Sequence, residues 1–173
     1  MNEECFNFEK LLFEVEAVEN GGCCSAYKPG DRFSIESIVP EKLCPFLYHT
    51  TIPSIEAAKN NSILGGSSDN SIITQCPNPN VGVALKVSSK DEDTVLLKYE
   101  QKTGPCPHYQ FDPGVKWELS DKTTPFCPRA YDALFPYLNA ASTNKKLGIS
   151  TNEPGFRVTC PNYPGYVVFR EIK

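Results

Sequence analysis

The chain has 173 residues, a length typical of one domain or of two small ones. With 17 basic and 21 acidic residues its net charge is −4, so it lacks the basic excess that binding of nucleic-acid phosphates requires. Its hydrophobic content of 40% is enough to build a core, and its apolar runs are too short for a transmembrane helix. We therefore expect a folded protein that binds neither nucleic acid nor a membrane.

The first twenty residues, MNEECFNFEKLLFEVEAVEN, are acidic. Because they contain neither a basic region nor an apolar region of the kind found in secretory signal peptides, the sequence predicts a cytoplasmic protein. In a reducing cytosol cysteines bind metals or do chemistry more often than they form disulfides. The eight cysteines are therefore the first candidates for function.

The predicted elements follow one another in the same order twice. Alternating and β-branched stretches predict two strands, then a helix that begins at a cysteine, then one last strand. The predicted elements in chain order are strands at 11–18 and 32–39, a helix at 45–59, strands at 81–87, 94–99 and 115–119, a helix at 128–142 and a strand at 166–172.

Each predicted helix contains two prolines. Pro45 and Pro128 stand at the first helical position, where a missing N–H group costs no hydrogen bond. Pro53 and Pro136 stand inside the helices, which we expect them to kink or divide.

The sequence contains an internal duplication of about half its length. Residues 11–87 match residues 95–173, with the offset changing only in loops. The matched residues are Gly22, Cys24, Tyr27, Cys44, Pro45, Tyr48, Pro53, Ala57, Ala58, Leu64, Gly65, Cys76, Pro77 and Asn78, which correspond to Gly104, Cys106, Tyr109, Cys127, Pro128, Tyr131, Pro136, Ala140, Ala141, Leu147, Gly148, Cys160, Pro161 and Asn162. The sequence predicts an α+β fold of two tandem ββαβ-like modules, 1–88 and 94–173, packed with pseudo-twofold symmetry. The polar segment 88–93 is the predicted linker between them.

Six cysteines form two equivalent triplets, and five of the six precede a proline. The triplets are Cys24, Cys44 and Cys76 in the first repeat and Cys106, Cys127 and Cys160 in the second. Proline after a cysteine fixes an extended backbone, and Cys-Pro is a common sequence at iron–sulfur ligands. A cysteine at a helix N-terminus also has a stabilised thiolate, the form that binds soft metals. We therefore predict that these six cysteines bind metal, most simply as one [4Fe–4S] cluster per repeat.

Three thiolates leave the fourth ligand of each cluster open. In the second repeat His108 is the candidate, whereas the first repeat has Ala26 at the equivalent position and offers Cys5, Cys23 or His49 instead. Zinc is the alternative metal, although the close cysteine pairs of structural zinc sites are absent from the sequence. Buried, metal-free thiols are the simplest non-functional interpretation. For Tyr27, Tyr109, Tyr48 and Tyr131 we expect core packing first and a hydrogen bond to a cluster second.

The chain resembles a family of small prokaryotic Cys-Pro-motif proteins, which consist of about one such unit and are sometimes tandem. The resemblance covers nearly the whole chain, once per repeat. It rests on Cys24 with Pro29-Gly30-Asp31-Arg32-Phe33, Cys44-Pro45, Cys76-Pro77, Cys106, Pro113-Gly114, Cys127-Pro128, Ala133-Leu134-Phe135-Pro136 and Cys160-Pro161. It implies the repeat unit and its cysteines, and it implies no activity. A weaker similarity is to the iron–sulfur small subunits of glycyl-radical decarboxylases.

Three functions remain open at this point. The first is a small electron carrier, or an accessory subunit of a larger anaerobic redox or radical enzyme. The second is an enzyme that uses an open-site three-cysteine cluster or a reactive thiolate in a cleft between the modules, although no acid or base partner is apparent and no catalytic residue is assigned. The third is a zinc-stabilised or metal-free interaction protein.

Overall fold

The computed structural model describes residues 12–18, 27–41, 43–60, 71–77, 82–91, 94–103, 115–120, 123, 126–142, 157–160 and 167–172. Its elements in chain order are β1 (Leu12–Val18), β2 (Arg32–Ser34), α1 (Ile35–Ile38), α2 (Pro45–Lys59), β3 (Ser71–Gln75), β4 (Gly82–Ser89), β5 (Val95–Thr103), β6 (Lys116–Leu119), α3 (Pro128–Ser142), β7 (Arg157–Cys160) and β8 (Val167–Ile172). They form two compact units. We call 39–124 the continuous unit, and 1–38 with 125–173 the split unit.

The continuous unit is an antiparallel sheet, in the order β3-β4-β5-β6, with α2 packed on β3, β4 and β5. Alternate residues of the central strands are buried, as in Leu85 and Val87 of β4 and Leu97 of β5, while Lys86 and Lys98 remain partly exposed. Because successive side chains of a strand point to opposite faces of the sheet, these buried residues form one apolar face, and that face packs against the helix. Burying each leucine side chain stabilises the fold by about 1.5–3 kcal/mol.

The split unit is a second antiparallel sheet, in the order β2-β1-β8-β7, and α3 packs on β7. Its core contains a cluster of aromatic rings, formed by Tyr27, Phe33, Phe126 and Phe169. The ring of Tyr27 lies 5.9 Å from Phe33, 5.2 Å from Phe126 and 5.6 Å from Phe169, measured between centroids. Edge-on and tilted arrangements at these distances are favourable for aromatic pairs.

The predicted α+β class is confirmed, but each repeat has one strand more than the predicted ββαβ order. The additional strands are β3 and β7, so the described elements follow the order ββαββ in the second repeat and the same order with the short helix α1 added before α2 in the first. Both are short and follow polar segments, and a strand of four or five residues provides little alternation to detect. The strand predicted at 32–39 ends at Ser34, because Ser34 and Ser37 each accept a hydrogen bond from the other's backbone N–H and close a helical turn.

The prolines inside the helices do not divide them. Both α2 and α3 continue through Pro53 and Pro136 for fifteen residues each. Both proline rings lie on the exposed side of their helices. On that side water can satisfy the backbone carbonyl that loses its N–H partner, which allows the helix to continue.

The compact units divide the chain differently from the predicted modules 1–88 and 94–173. The segment predicted as a linker lies between two paired strands, since Ser89 pairs with Val95 and the Lys90 N–H donates to the Thr94 carbonyl at 2.8 Å. Each unit therefore combines the first two strands of one sequence repeat with the helix and last two strands of the other. The predicted pseudo-twofold packing stays a prediction.

Among the described helices, none combines the length and the apolar character that crossing a membrane requires.

Candidate functional site

Cys44 lies at the start of α2 in the continuous unit. Its backbone is extended (φ −63°, ψ 128°), as expected for a residue before proline. Its carbonyl accepts the first helical hydrogen bond, from the Tyr48 N–H at 2.9 Å. The half-buried thiol therefore stands at a helix N-terminus.

Cys76 directly follows β3 and is also half-buried. Its N–H donates to the Val83 carbonyl at 2.8 Å, which extends the β3–β4 ladder by one residue. The backbone hydrogen bond therefore fixes where this cysteine leaves the sheet.

Two threonines of α2 show how the helix lies on β3. Thr50 Oγ1 donates to the Gln75 carbonyl at 3.4 Å, and Thr51 Oγ1 lies 3.0 Å from Thr74 Oγ1. Thr50 contacts Gln75 and the next helical residue, Thr51, contacts the preceding strand residue, Thr74. The strand β3 therefore runs antiparallel to α2. The strand therefore runs towards the N-terminus of the helix, and Cys76 and Cys44 lie at the same end of α2.

The split unit has the corresponding cysteines. Cys127 precedes α3, is buried, and accepts the first helical hydrogen bond from the Tyr131 N–H at 2.9 Å. Cys160 is the last residue of β7 and pairs with Val167 of β8. In both units the second cysteine of a triplet stands at a helix N-terminus and the third at the end of a strand on which that helix packs.

Tyr27 connects this site to the first repeat. Its hydroxyl accepts a hydrogen bond from the Cys127 N–H at 2.9 Å, across 100 positions of sequence. The rings of Phe33, Phe126 and Phe169 surround its own ring. The sequence suggested core packing, or a bond to a cluster, for this tyrosine. The structure shows the core packing together with a backbone hydrogen bond to a cysteine of the other repeat, for which no local sequence signal exists.

Replacing Tyr27 with phenylalanine should lower the free energy of unfolding by about 1 kcal/mol, because the ring remains while the acceptor of the Cys127 N–H is lost. Urea unfolding would measure this loss. Amide hydrogen exchange should also become faster at Cys127, while the Tyr48 amide at the start of α2 serves as the internal control. Unchanged exchange at Cys127 would show that the hydrogen bond contributes nothing.

Four of the predicted metal-site residues are placed by the structure in pairs. Cys44 and Cys76 belong to the continuous unit, and Cys127 and Cys160 to the split unit. The remaining predictions, Cys24, Cys106 and His108, lie outside the described residues, as do Cys5 and Cys23, and the side chain of Cys160 is not described either. Over the described part of the chain, no group of three or more His, Cys, Asp or Glu side chains has the arrangement of a metal site.

Three further candidates lie within the described residues. Tyr48 and Tyr131, four residues after their cysteines, are fully buried, in agreement with the predicted core packing. His49 lies in α2, five residues after Cys44, and is half-buried.

Comparison with known proteins gives no relative from which to transfer a function: no protein-family model, no curated protein and no solved structure matches the chain.

Proposed function

We propose that the protein binds a soft metal through cysteine thiolates, with one [4Fe–4S] cluster in each unit as the first candidate. The observation that carries this proposal is the position of Cys44 and Cys76 at the same end of α2, one of them at the helix N-terminus. The corresponding elements of the split unit carry Cys127 and Cys160.

The chemistry of these donors fits an iron–sulfur cluster. Thiolates are soft ligands, and a helix N-terminus lowers the pKa of a cysteine thiol and so favours the thiolate. Cys44 and Cys76 are half-buried, which would shield a cluster on one side and leave a face from which an electron could pass to a partner. Cys24 and Cys106 would complete three thiolates per cluster, and His108 would supply a fourth ligand in one of them.

A chain of this size with two such clusters suits a small electron carrier or an accessory subunit of a larger redox or radical enzyme. The two units support two equivalent sites, because their sheets have the same order of strands when the repeats are matched. The cluster would supply one-electron transfer when bound. The role of this chain's residues is to hold the thiolates and to limit access of water.

The test is the metal and acid-labile sulfide content of protein purified without oxygen, together with its visible spectrum. For two [4Fe–4S] clusters we expect about eight iron atoms and eight sulfide ions per chain, with a broad absorption band at about 400 nm. Cys44→Ser and Cys127→Ser should each remove about half of the iron and sulfide. Ser89→Ala, which changes an exposed residue outside all the candidate ligands, is the control and should leave both contents unchanged.

Two outcomes would contradict the proposed function. Zinc without sulfide would indicate a structural zinc site instead of a cluster. The protein would then be a zinc-stabilised interaction protein and not an electron carrier. Protein without metal, carrying six reactive thiols, would exclude a metal role for the triplets altogether.

A further inference from the structure

We propose that the sheet of the continuous unit binds a chain of phosphates through three lysines on the face opposite α2. Lys86, Lys98 and Lys116 lie on the adjacent strands β4, β5 and β6, and we call them the lysine row. The ligand is a linear polyphosphate, either free or as the phosphate chain of a nucleotide. The proposal does not depend on the metal sites, so either can fail without the other.

The strand register places the three lysines directly opposite one another. Lys86 of β4 pairs with Lys98 of β5, and Lys98 pairs with Lys116 of β6. Because neighbouring strands lie about 4.8 Å apart, the row extends about 10 Å across the sheet. On β3 the same row continues with Ile73, which pairs with Lys86. The row therefore contains three positive charges and no carboxylate.

The lysine row lies on the face of the sheet that α2 does not cover. Leu85 and Leu97, each next to a lysine in sequence, are buried on the face that packs against the helix. Successive side chains of a strand point to opposite faces, which puts the lysines on the other face. Lys86 and Lys98 are partly exposed and Lys116 is exposed. A lysine keeps its ammonium group in water even where its stem is covered, so all three charges can meet a dissolved ligand.

Such a row lowers the stability of the sheet, because like charges directly opposite each other on neighbouring strands repel. The chain as a whole has 17 basic and 21 acidic residues, so three lysines at adjacent positions do not follow from a basic composition. An anion bound along the row would offset the repulsion. Binding would then stabilise the folded protein, since a ligand that binds only the folded state raises its stability.

The equivalent row of the split unit differs at its centre. There β1 takes the place of β5, and the central residue is Glu14, which pairs with Arg32 on one side and Arg170 on the other. The Glu14 carboxylate lies 3.4 Å from Nε of Arg32. The split unit thus supplies an anion from its own chain at the position where the continuous unit has Lys98. We therefore assign the phosphate site to the continuous unit.

Two glutamates restrict the shape of the ligand. Glu118 follows Lys116 by two residues on β6, and Glu100 follows Lys98 by two residues on β5. Because β5 and β6 are antiparallel, the two glutamates stand on opposite sides of the row. The Glu118 carboxylate accepts a hydrogen bond from Lys90 Nζ at 2.8 Å. Acidic residues on both sides favour a narrow anion that lies along the row over a broad one.

A chain of about three phosphates has this narrow shape. It carries several negative charges along a line, so each lysine can contact a different phosphate group, and lysine binds phosphate as a point charge. Stable binding of nucleic acid typically uses about 6–10 phosphate contacts, more than the row provides. The lysine row therefore fits a short polyphosphate and not a nucleic acid.

The first experiment is isothermal titration calorimetry of the full chain with inorganic triphosphate, adenosine triphosphate and inorganic phosphate at low salt. We expect triphosphate to bind on the order of tenfold more tightly than phosphate, because it makes more charged hydrogen bonds, and the affinity to fall as salt is added. Equal binding of the two triphosphates would assign the free chain as ligand, and tighter binding of adenosine triphosphate would assign a nucleotide. Absence of triphosphate binding, or equal affinity for phosphate, would overturn the proposal.

Lys98→Gln and Lys59→Gln are matched variants that remove the same charge. Lys98 is central in the row, whereas Lys59 is the last residue of α2, on the other side of the same sheet. We expect Lys98→Gln to weaken triphosphate binding on the order of tenfold, and Lys59→Gln to change it by less than about twofold. Equal weakening in both variants would show a general attraction to positive charge and would overturn the assigned site.

Urea unfolding separates a loss of binding from a loss of folding. Without ligand, Lys98→Gln should keep the urea midpoint of the wild type or raise it, because it removes two like-charge contacts. Triphosphate should raise the midpoint of the wild type and of Lys59→Gln but not that of Lys98→Gln. A Lys98→Gln variant that responds to triphosphate as the wild type does would show that the row is not the binding site.

Discussion

Replacing Phe169 with alanine is expected to lower the free energy of unfolding by about 3–5 kcal/mol. Phe169 lies on β8, a central strand of the split unit, and its side chain is 0% exposed. Its ring lies 5.6 Å from Tyr27 and 5.4 Å from Phe126. Alanine would leave a cavity and remove both aromatic contacts, and such a loss is a large share of the roughly 5–15 kcal/mol that stabilises a typical domain.

The measurement is urea unfolding followed by far-UV circular dichroism, with hydrogen exchange of the β1, β7 and β8 amides to locate the change. Leu12→Ala is the matched control, because Leu12 lies on the neighbouring strand β1 and is 49% exposed. We expect the control to change stability by less than about 0.5 kcal/mol. Equal losses in both variants would show that the aromatic cluster is not the core of this unit.

In the continuous unit, Leu85→Ala should cost about 2–5 kcal/mol. Leu85 is fully buried on the central strand β4, where it pairs with Thr74 on one side and Tyr99 on the other. The truncation would leave a cavity between the sheet and α2, and the close-packed surroundings could fill it only in part.

The single tryptophan of the chain provides a specific probe for this unit. Trp117 lies on β6, and its indole N–H donates to the Glu41 carbonyl at 2.9 Å. Its fluorescence should report a lower urea midpoint for Leu85→Ala. Ile73→Ala, on β3 of the same sheet and 45% exposed, is the control, and a loss as large as that of Leu85→Ala would contradict the described face of the sheet.

The local elements of the candidate site could be predicted from sequence because each rests on a short-range rule. Proline at the first helical position places Cys44 and Cys127 directly before their helices. The β-branched and partly alternating apolar residues of β4, β5 and β8 mark them as strands. The short strands β3 and β7 were missed, since four or five residues carry too little periodicity to distinguish a strand from a loop.

The grouping of these elements could not be predicted in the same way. The two repeats carry nearly equivalent apolar faces, so β4 has a suitable partner in either β1 or β5, and local pattern cannot choose between them. The structure pairs β4 with β5 through the short connection at 90–94. Closing that connection costs less chain entropy than closing a loop around a whole helix and two strands.

The sequence by itself determined the internal repeat, the α+β class and the position of Cys44 and Cys127 at the starts of helices, because each of these depends on residues close together in the chain. Only the tertiary structure decided which strands share a sheet and that Tyr27 of one repeat contacts Cys127 of the other. Those choices depend on loop closure and on contacts between residues as many as 100 positions apart, which no local pattern encodes.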